Sequence, residues 1–293
     1  MKRCVLIALV LAFGTGSALA ESKHTVSKYT VQDKELIQKT LKYQDTSKPG
    51  ELSLDNVFGS IRVEGTEGPQ VELTANKTIK ARSQEKVQQA KEEVKLDIKE
   101  KGNAIDIYVD GPFRCQCQDG HGYKWRDLGY EVQYDFVLKV PRRTRLTINT
   151  VNDGDILVKG VEGQFEVRNV NGKVELADMS GSGQAGTING GLKASFLKNP
   201  SADCSFSTIN GEVELALREN LSADFRLKTM NGEAFSDFET LPLPAQAGKA
   251  EKHEGKFVYH RSQSTQVRAG KGGPVLTCDT LNGNIYLRKY KAD

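Results

Sequence analysis

The sequence predicts an all-β fold: a single-domain β-solenoid of the β-helix type, with one short helix near residues 84–94. Three observations predict it. A turn related to apolar-Asn-Gly recurs seven times, apolar residues alternate with period two on both sides of it, and these positions keep fixed offsets from the turn glycine.

The turns are Asn56-Val-Phe-Gly59, Thr150-Val-Asn-Asp-Gly154, Asn169-Val-Asn171-Gly172, Thr187-Ile-Asn189-Gly190, Thr208-Ile-Asn210-Gly211, Thr229-Met-Asn231-Gly232 and Thr280-Leu-Asn282-Gly283. From Gly154 to Gly232 the glycines are 18, 18, 21 and 21 residues apart, which suits one coil of a solenoid. The flanking gaps of 95 and 51 residues must hold degenerate coils or excursions.

Before the turns come Phe165/Val167, Cys204/Phe206, Phe225/Leu227 and Leu276/Cys278. After them come Ile156/Val158, Val174/Leu176, Val213/Leu215 and Ile285/Leu287. Each pair marks a strand with one buried face. Asn-Gly also suits a hairpin turn, so an antiparallel sandwich is the competing architecture. Equal offsets on both sides of each turn favour the solenoid. In it, Asn-Gly is expected to supply the positive φ of a sharp reversal. The threonines and asparagines can form ladders up the stack, and which of them point inward stays open.

The less regular parts follow in chain order. Residues 1–20 combine Lys2 and Arg3, an apolar run from Val5 to Phe13 and a small-residue end at Ala20, the pattern of a secretory signal peptide cleaved after Ala20. Residues 21–48 form a polar leader or cap, and the solenoid domain spans 49–293 with insertions near 111–128 and 238–272. Ser83 N-caps a helix whose apolar stripe is Val87, Ala90 and Val94. Val94/Leu96/Ile98 and Ile105/Ile107/Val109 form a hairpin around Gly102, Tyr130–Val140 is a strand stopped by Pro141, and Leu241–Ala250 is a loop.

Without residues 1–20 the chain keeps 39 of its 41 Lys+Arg against 38 Asp+Glu, a balance unlike a nucleic-acid binder. No later stretch reaches the roughly 20 apolar residues of a membrane-spanning helix. The expected location is therefore exported, either periplasmic or extracellular.

Four cysteines remain in the mature chain. Cys115, Cys117 and His121 place two thiols and an imidazole within seven residues, the ligand types of a soft metal. A fourth ligand is missing unless Asp119 or a partner supplies it, so no metal and no cofactor is assigned. A local disulfide or redox pair of Cys115 and Cys117 and an incidental loop remain open. Cys204 and Cys278 fall at inward offsets with the Gly232 coil expected between them. Two strand steps of about 4.8 Å exceed the roughly 7 Å Cα limit of a disulfide, so they are read as buried thiols.

Lys139, Arg142, Arg143 and Arg145 flank Pro141 and read as a solvated strand end in preference to a site for anionic polymers. Glu175, Glu212 and Glu214 are the carboxylates that hydrolytic chemistry would require on one face. Such a composition is ordinary for an exposed strand, and the chain is read as not an enzyme.

The run Tyr134-Asp-Phe-Val-Leu-Lys-Val-Pro141, with Leu146-Thr-Ile-Asn-Thr-Val-Asn-Asp-Gly154-Asp-Ile, resembles the bacterial putative-adhesin family of unknown function with a repetitive β-solenoid fold. Gly272-Gly-Pro-Val-Leu-Thr-Cys-Asp-Thr-Leu-Asn-Gly-Asn-Ile285 resembles that family's closing coil. The resemblance covers roughly residues 50–290. It implies an envelope location and a binding or scaffolding role, and it carries over no functional residues. The expected partner is an envelope protein or polysaccharide, with nucleic acid excluded. Two alternatives stay open: a structural protein that associates with its own copies, and a carbohydrate-active β-helix enzyme.

Overall fold

The computed structural model describes residues 29–114, 127–244, 250–253, 256–259 and 264–291. The signal segment and Cys115, Cys117 and His121 lie outside the described residues. In chain order come Val31–Lys42 (β1), Glu51–Asp55 (β2), Ile61–Thr66 (β3), Gln70–Ala81 (β4), the helix Gln84–Glu93 (α1), Lys95–Lys101 (β5), Ala104–Asp110 (β6), Tyr130–Pro141 (β7) and Arg145–Asn149 (β8). Next are Ile156–Lys159 (β9), Phe165–Arg168 (β10), Val174–Met179 (β11), Gly183–Gly186 (β12), Leu192–Phe196 (β13), Cys204–Asn210 (β14), Val213–Leu217 (β15), Ala223–Asn231 (β16) and Ala234–Ser236 (β17). Thr240–Pro242 (β18), Ala250–His253 (β19), Lys256–Tyr259 (β20), Thr265–Ala269 (β21), Val275–Asn282 (β22) and Ile285–Lys289 (β23) complete the order.

Two large sheets face each other, and each coil contributes one strand to each. One sheet runs β1-β4-β7-β3-β9-β11-β13-β15-β23-β17, the other β18-β21-β16-β22-β14-β12-β10-β8-β2-β6-β5. Coil strands pair in parallel at constant register: Val174 lies opposite both Ile156 and Leu192, and Val213 opposite both Leu192 and Ile285. Parallel pairing rules out the antiparallel sandwich, because neighbouring strands there run in opposite directions. All the alternating pairs named from the sequence are buried. Where β12 offers only Gly183 and Ala185 inward, Phe196 and Phe206 fill the interior in an edge-to-face pair 6.1 Å apart.

The 95-residue gap builds the N-terminal end. The β5–β6 hairpin, turning at Gly102 (φ 62°), extends one sheet, and antiparallel β7, β4 and β1 extend the other. Helix α1 covers this end with Val87, Ala90 and Val94, and its first turn is capped by the Ser83 hydroxyl accepting from the Lys86 amide. At the other end β18 and β21 add antiparallel strands beside β16, so Thr240–Pro242 is strand where a loop was expected.

One expectation about coil order is overturned. The coil of β22 and β23 does not close the stack. It inserts between the β14–β15 coil and the β16–β17 coil, pairing with both. Cys204 and Cys278 therefore sit on neighbouring strands, where Cys204 faces Leu276 and Phe206 faces Cys278. One strand step combined with a two-residue offset places their Cα atoms about 8 Å apart, still beyond disulfide reach. Both are buried free thiols.

Candidate functional site

The turn edge of the solenoid gathers the features that the sequence singled out. Alternation along β14 keeps Cys204, Phe206 and Thr208 inward and turns Ile209 out, and at the turn the alternation breaks so that Asn210 is exposed too. The turns at Gly190, Gly232 and Gly283 repeat this, whereas Asn56 and Val57 of the first turn are buried. Thr150, Thr187, Thr208 and Thr280 are buried, and their hydroxyls donate to the carbonyls of Gly59, Gly172, Gly190 and Gly211 in the adjacent coil at 2.8–3.1 Å. Thr229 donates likewise to Gly283, and Asn169 uses its side-chain amide toward Gly154. Each of these carbonyls is thus given a partner from within.

Gly59, Gly172 and Gly283 have the expected positive φ, at 114°, 158° and 155°, but the other four turn glycines are required for a different reason. Gly154, Gly190, Gly211 and Gly232 do not have positive φ. A Cβ on Gly211 would instead stand 2.0 Å from the Gly190 carbonyl oxygen, and one on Gly190 2.2 Å from that of Gly172. Close approach of coil to coil excludes any side chain there. The additional residue of the second turn, Asp153, takes the left-handed conformation at φ 58°.

Outside, asparagines form a continuous ladder. The amide nitrogens of Asn171, Asn189, Asn210, Asn282 and Asn231 donate to the side-chain oxygens of Asn152, Asn171, Asn189, Asn210 and Asn282 respectively, at 2.6–2.7 Å. Their dipoles align along the axis, so each bond polarises the next. Beside the ladder runs a row of apolar side chains in the order Val151, Val170, Ile188, Ile209, Leu281 and Met230. The last four are 39%, 41%, 39% and 59% exposed. This row was missed in the sequence. Extending the period-two pattern from Cys204 and Phe206 through Thr208 was the signal that could have found it.

The other candidate groups are not brought together. In register, Glu175 is followed by Lys193 and then Glu214, so a lysine separates the two carboxylates. Glu214 is ion-paired with Lys193 at 3.3 Å, and Glu212 is an exposed turn residue. Three of the four basic residues near Pro141 are paired across strands: Lys139 with Glu72, Arg142 with Glu67 and Arg145 with Glu51. Burial pushes the thiols of Cys204 and Cys278 up, away from the thiolate form a nucleophile requires. Among the described residues there is no metal-competent cluster of His, Cys, Asp or Glu, and no helix long and apolar enough to cross a membrane.

Comparison with known proteins bears on this architecture. Residues 131–271 match the Toastrack DUF4097 family. The Toastrack segment runs from β7 to β21 and carries the turns from Gly154 to Gly232, so the resemblance drawn from Tyr134–Pro141 and the following turn holds. The inserted coil of β22 and β23 lies beyond the matched residues. No curated protein matches. Four solved structures match, among them the following three. A putative cell adhesion protein from Clostridium sporogenes is 10% identical, with 88% of this chain and 100% of that chain covered and a TM-score of 0.42. A putative adhesin from Bacteroides fragilis is 9% identical, covering 87% and 97% at a TM-score of 0.38. A putative lipid binding protein from Parabacteroides distasonis is 9% identical, covering 88% and 97% at a TM-score of 0.27.

Proposed function

We propose that this chain is an exported, non-catalytic β-solenoid that presents an elongated binding surface in the cell envelope in the manner of an adhesin. The observation that carries this reading is the turn edge, where an unbroken apolar row and an asparagine ladder run together along six coils. Contiguous apolar surface on a folded protein marks an interaction site more often than isolated apolar residues do. The signal-type N-terminus supports export, and the dispersal of Glu175, Glu212 and Glu214 supports a role without catalysis.

The test compares the wild-type chain with Ile209→Asp/Leu281→Asp as bait for a bacterial envelope extract. Retention of a defined envelope component by the wild type, lost in the variant, is the expected result. Equal retention by both would place the binding surface elsewhere.

A further inference from the structure

We infer that the turn edge binds a linear, uncharged polysaccharide laid along the solenoid axis. This rests on the reading that the edge is a binding surface, and it names the ligand. Four features of the edge select that chemistry.

The first is shape. Six coils at about 4.8 Å per step make a strip about 24 Å long, and two outward residues per coil make it about 7 Å wide. That is roughly 170 Å², far below the about 800 Å² per partner that a specific protein interface buries. A strip this narrow fits a single extended polymer and not a folded protein or a second copy of the chain.

The second is the state of the backbone. The amides of Asn171, Asn189 and Asn210 already donate to the carbonyls of Val151, Val170 and Ile188 in the adjacent coil. No strand edge is left at the turns for an extended peptide to add to, which removes strand addition as a mode of recognition.

The third is hydrogen-bonding capacity. A carboxamide has two donors and two acceptor sites, and the ladder consumes one of each at its interior members. Asn171, Asn189, Asn210 and Asn282 are exposed and so offer one further N–H and one further acceptor site each. Hydroxyl groups, which donate and accept, are the complementary groups, and the apolar row beside them meets the C–H face of a sugar ring.

The fourth is charge. The outward apolar and asparagine positions carry none, and the charged positions after the turns are three acidic and one basic: Asp155, Glu212 and Glu233 with Lys173. A polyanion would meet repulsion at Asp155, Glu212 and Glu233, and a polycation at Lys173.

The experiment uses calorimetric titration of the mature chain with a length series of neutral β-linked glucan oligosaccharides and with a uronic-acid oligosaccharide. The wild type should bind the neutral series with affinity rising until the oligosaccharide spans about 24 Å. Ile188→Thr/Ile209→Thr/Leu281→Thr, which keeps exposed hydrogen-bonding side chains and an unchanged melting transition, should bind about tenfold more weakly or worse. Should that triple variant melt early, Ile209→Thr alone serves, with a smaller loss expected.

Neutral glucan binding unaffected by these variants overturns the inference, as does a preference for the uronic-acid series. If no neutral glucan binds while the edge still retains an envelope protein, the ligand assignment fails and the binding surface stands. If the edge retains nothing, both fail.

Discussion

Val213→Asp gives the most direct reading of the register. Val213 is fully buried in the middle of the stack, opposite Leu192 on one side and Ile285 on the other. Removing its side chain from the core forfeits about 1.5–3 kcal/mol of burial. A carboxylate in that place, between Leu192 and Ile285, adds an effective desolvation penalty of several kcal/mol. Together these reach roughly 5 kcal/mol or more, comparable with the 5–15 kcal/mol that holds an ordinary domain folded. The core raises the pKa of the introduced carboxyl above its unfolded value of about 3.9. The variant's deficit is therefore least below about pH 4 and grows as pH rises toward the folded pKa, by about 1.4 kcal/mol per unit. Urea unfolding followed by far-ultraviolet circular dichroism at pH 7 and pH 5 measures both effects. The control is Glu214→Gln on the adjacent outward position, where losing the partly exposed pair with Lys193 costs about 0.2–1 kcal/mol. A Val213→Asp midpoint equal to that of Glu214→Gln at pH 7 would refute the inward assignment.

Three further outcomes follow from the same geometry. Gly211→Ala must push its coil off the Gly190 carbonyl and should cost about 1–3 kcal/mol in urea unfolding, whereas Gly68→Ala, whose Cβ would meet nothing nearer than 3.8 Å, should not; equal effects would remove close approach as the reason for the turn glycine. In a Cys115→Ser/Cys117→Ser background, Cys204 and Cys278 should resist iodoacetamide at pH 8 and react only after denaturation, because burial holds both thiols protonated; rapid native labelling would contradict this. Arg268 makes two 2.7 Å hydrogen bonds to Asp224 and holds its carboxyl below the usual range, so their contribution is present above pH 4 and lost as pH falls through the depressed value. The stability difference between wild type and Arg268→Ala should shrink on acidification and in high salt, and a difference independent of both would sink the pairing.

The parts of the fold legible in the sequence are those set by local periodicity. Alternation around a fixed turn identifies Phe206 and Leu215 as core and places the strands. The Ser83 cap marks the start of α1 to the residue. Coil order was not legible because the Gly232 and Gly283 coils carry the same motif at the same offsets, and exchanging them leaves every register intact. One residue-level signal did distinguish them. The inward positions of the Gly232 coil are Ala234 and Ser236, where the Gly283 coil has Ile285 and Leu287, and small exposed side chains suit the outermost layer. At Gly190 and Gly211 the glycine requirement was misread because Asn-Gly has a familiar local meaning, while the decisive contact, with the carbonyl of another coil, is 18 and 21 residues away.

The inserted coil also constrains how the chain can assemble. As the polypeptide emerges from its N-terminus, each coil from β8 to β15 can settle on the one before it. The β16–β17 coil cannot, because its seat is taken in the finished molecule by strands that arrive later. Until β22 and β23 thread between them, Phe206 and Phe225 face a missing layer. Completion of the core thus waits on β22 and β23, and any product that stops before Val275 is left with an unfilled gap in its interior.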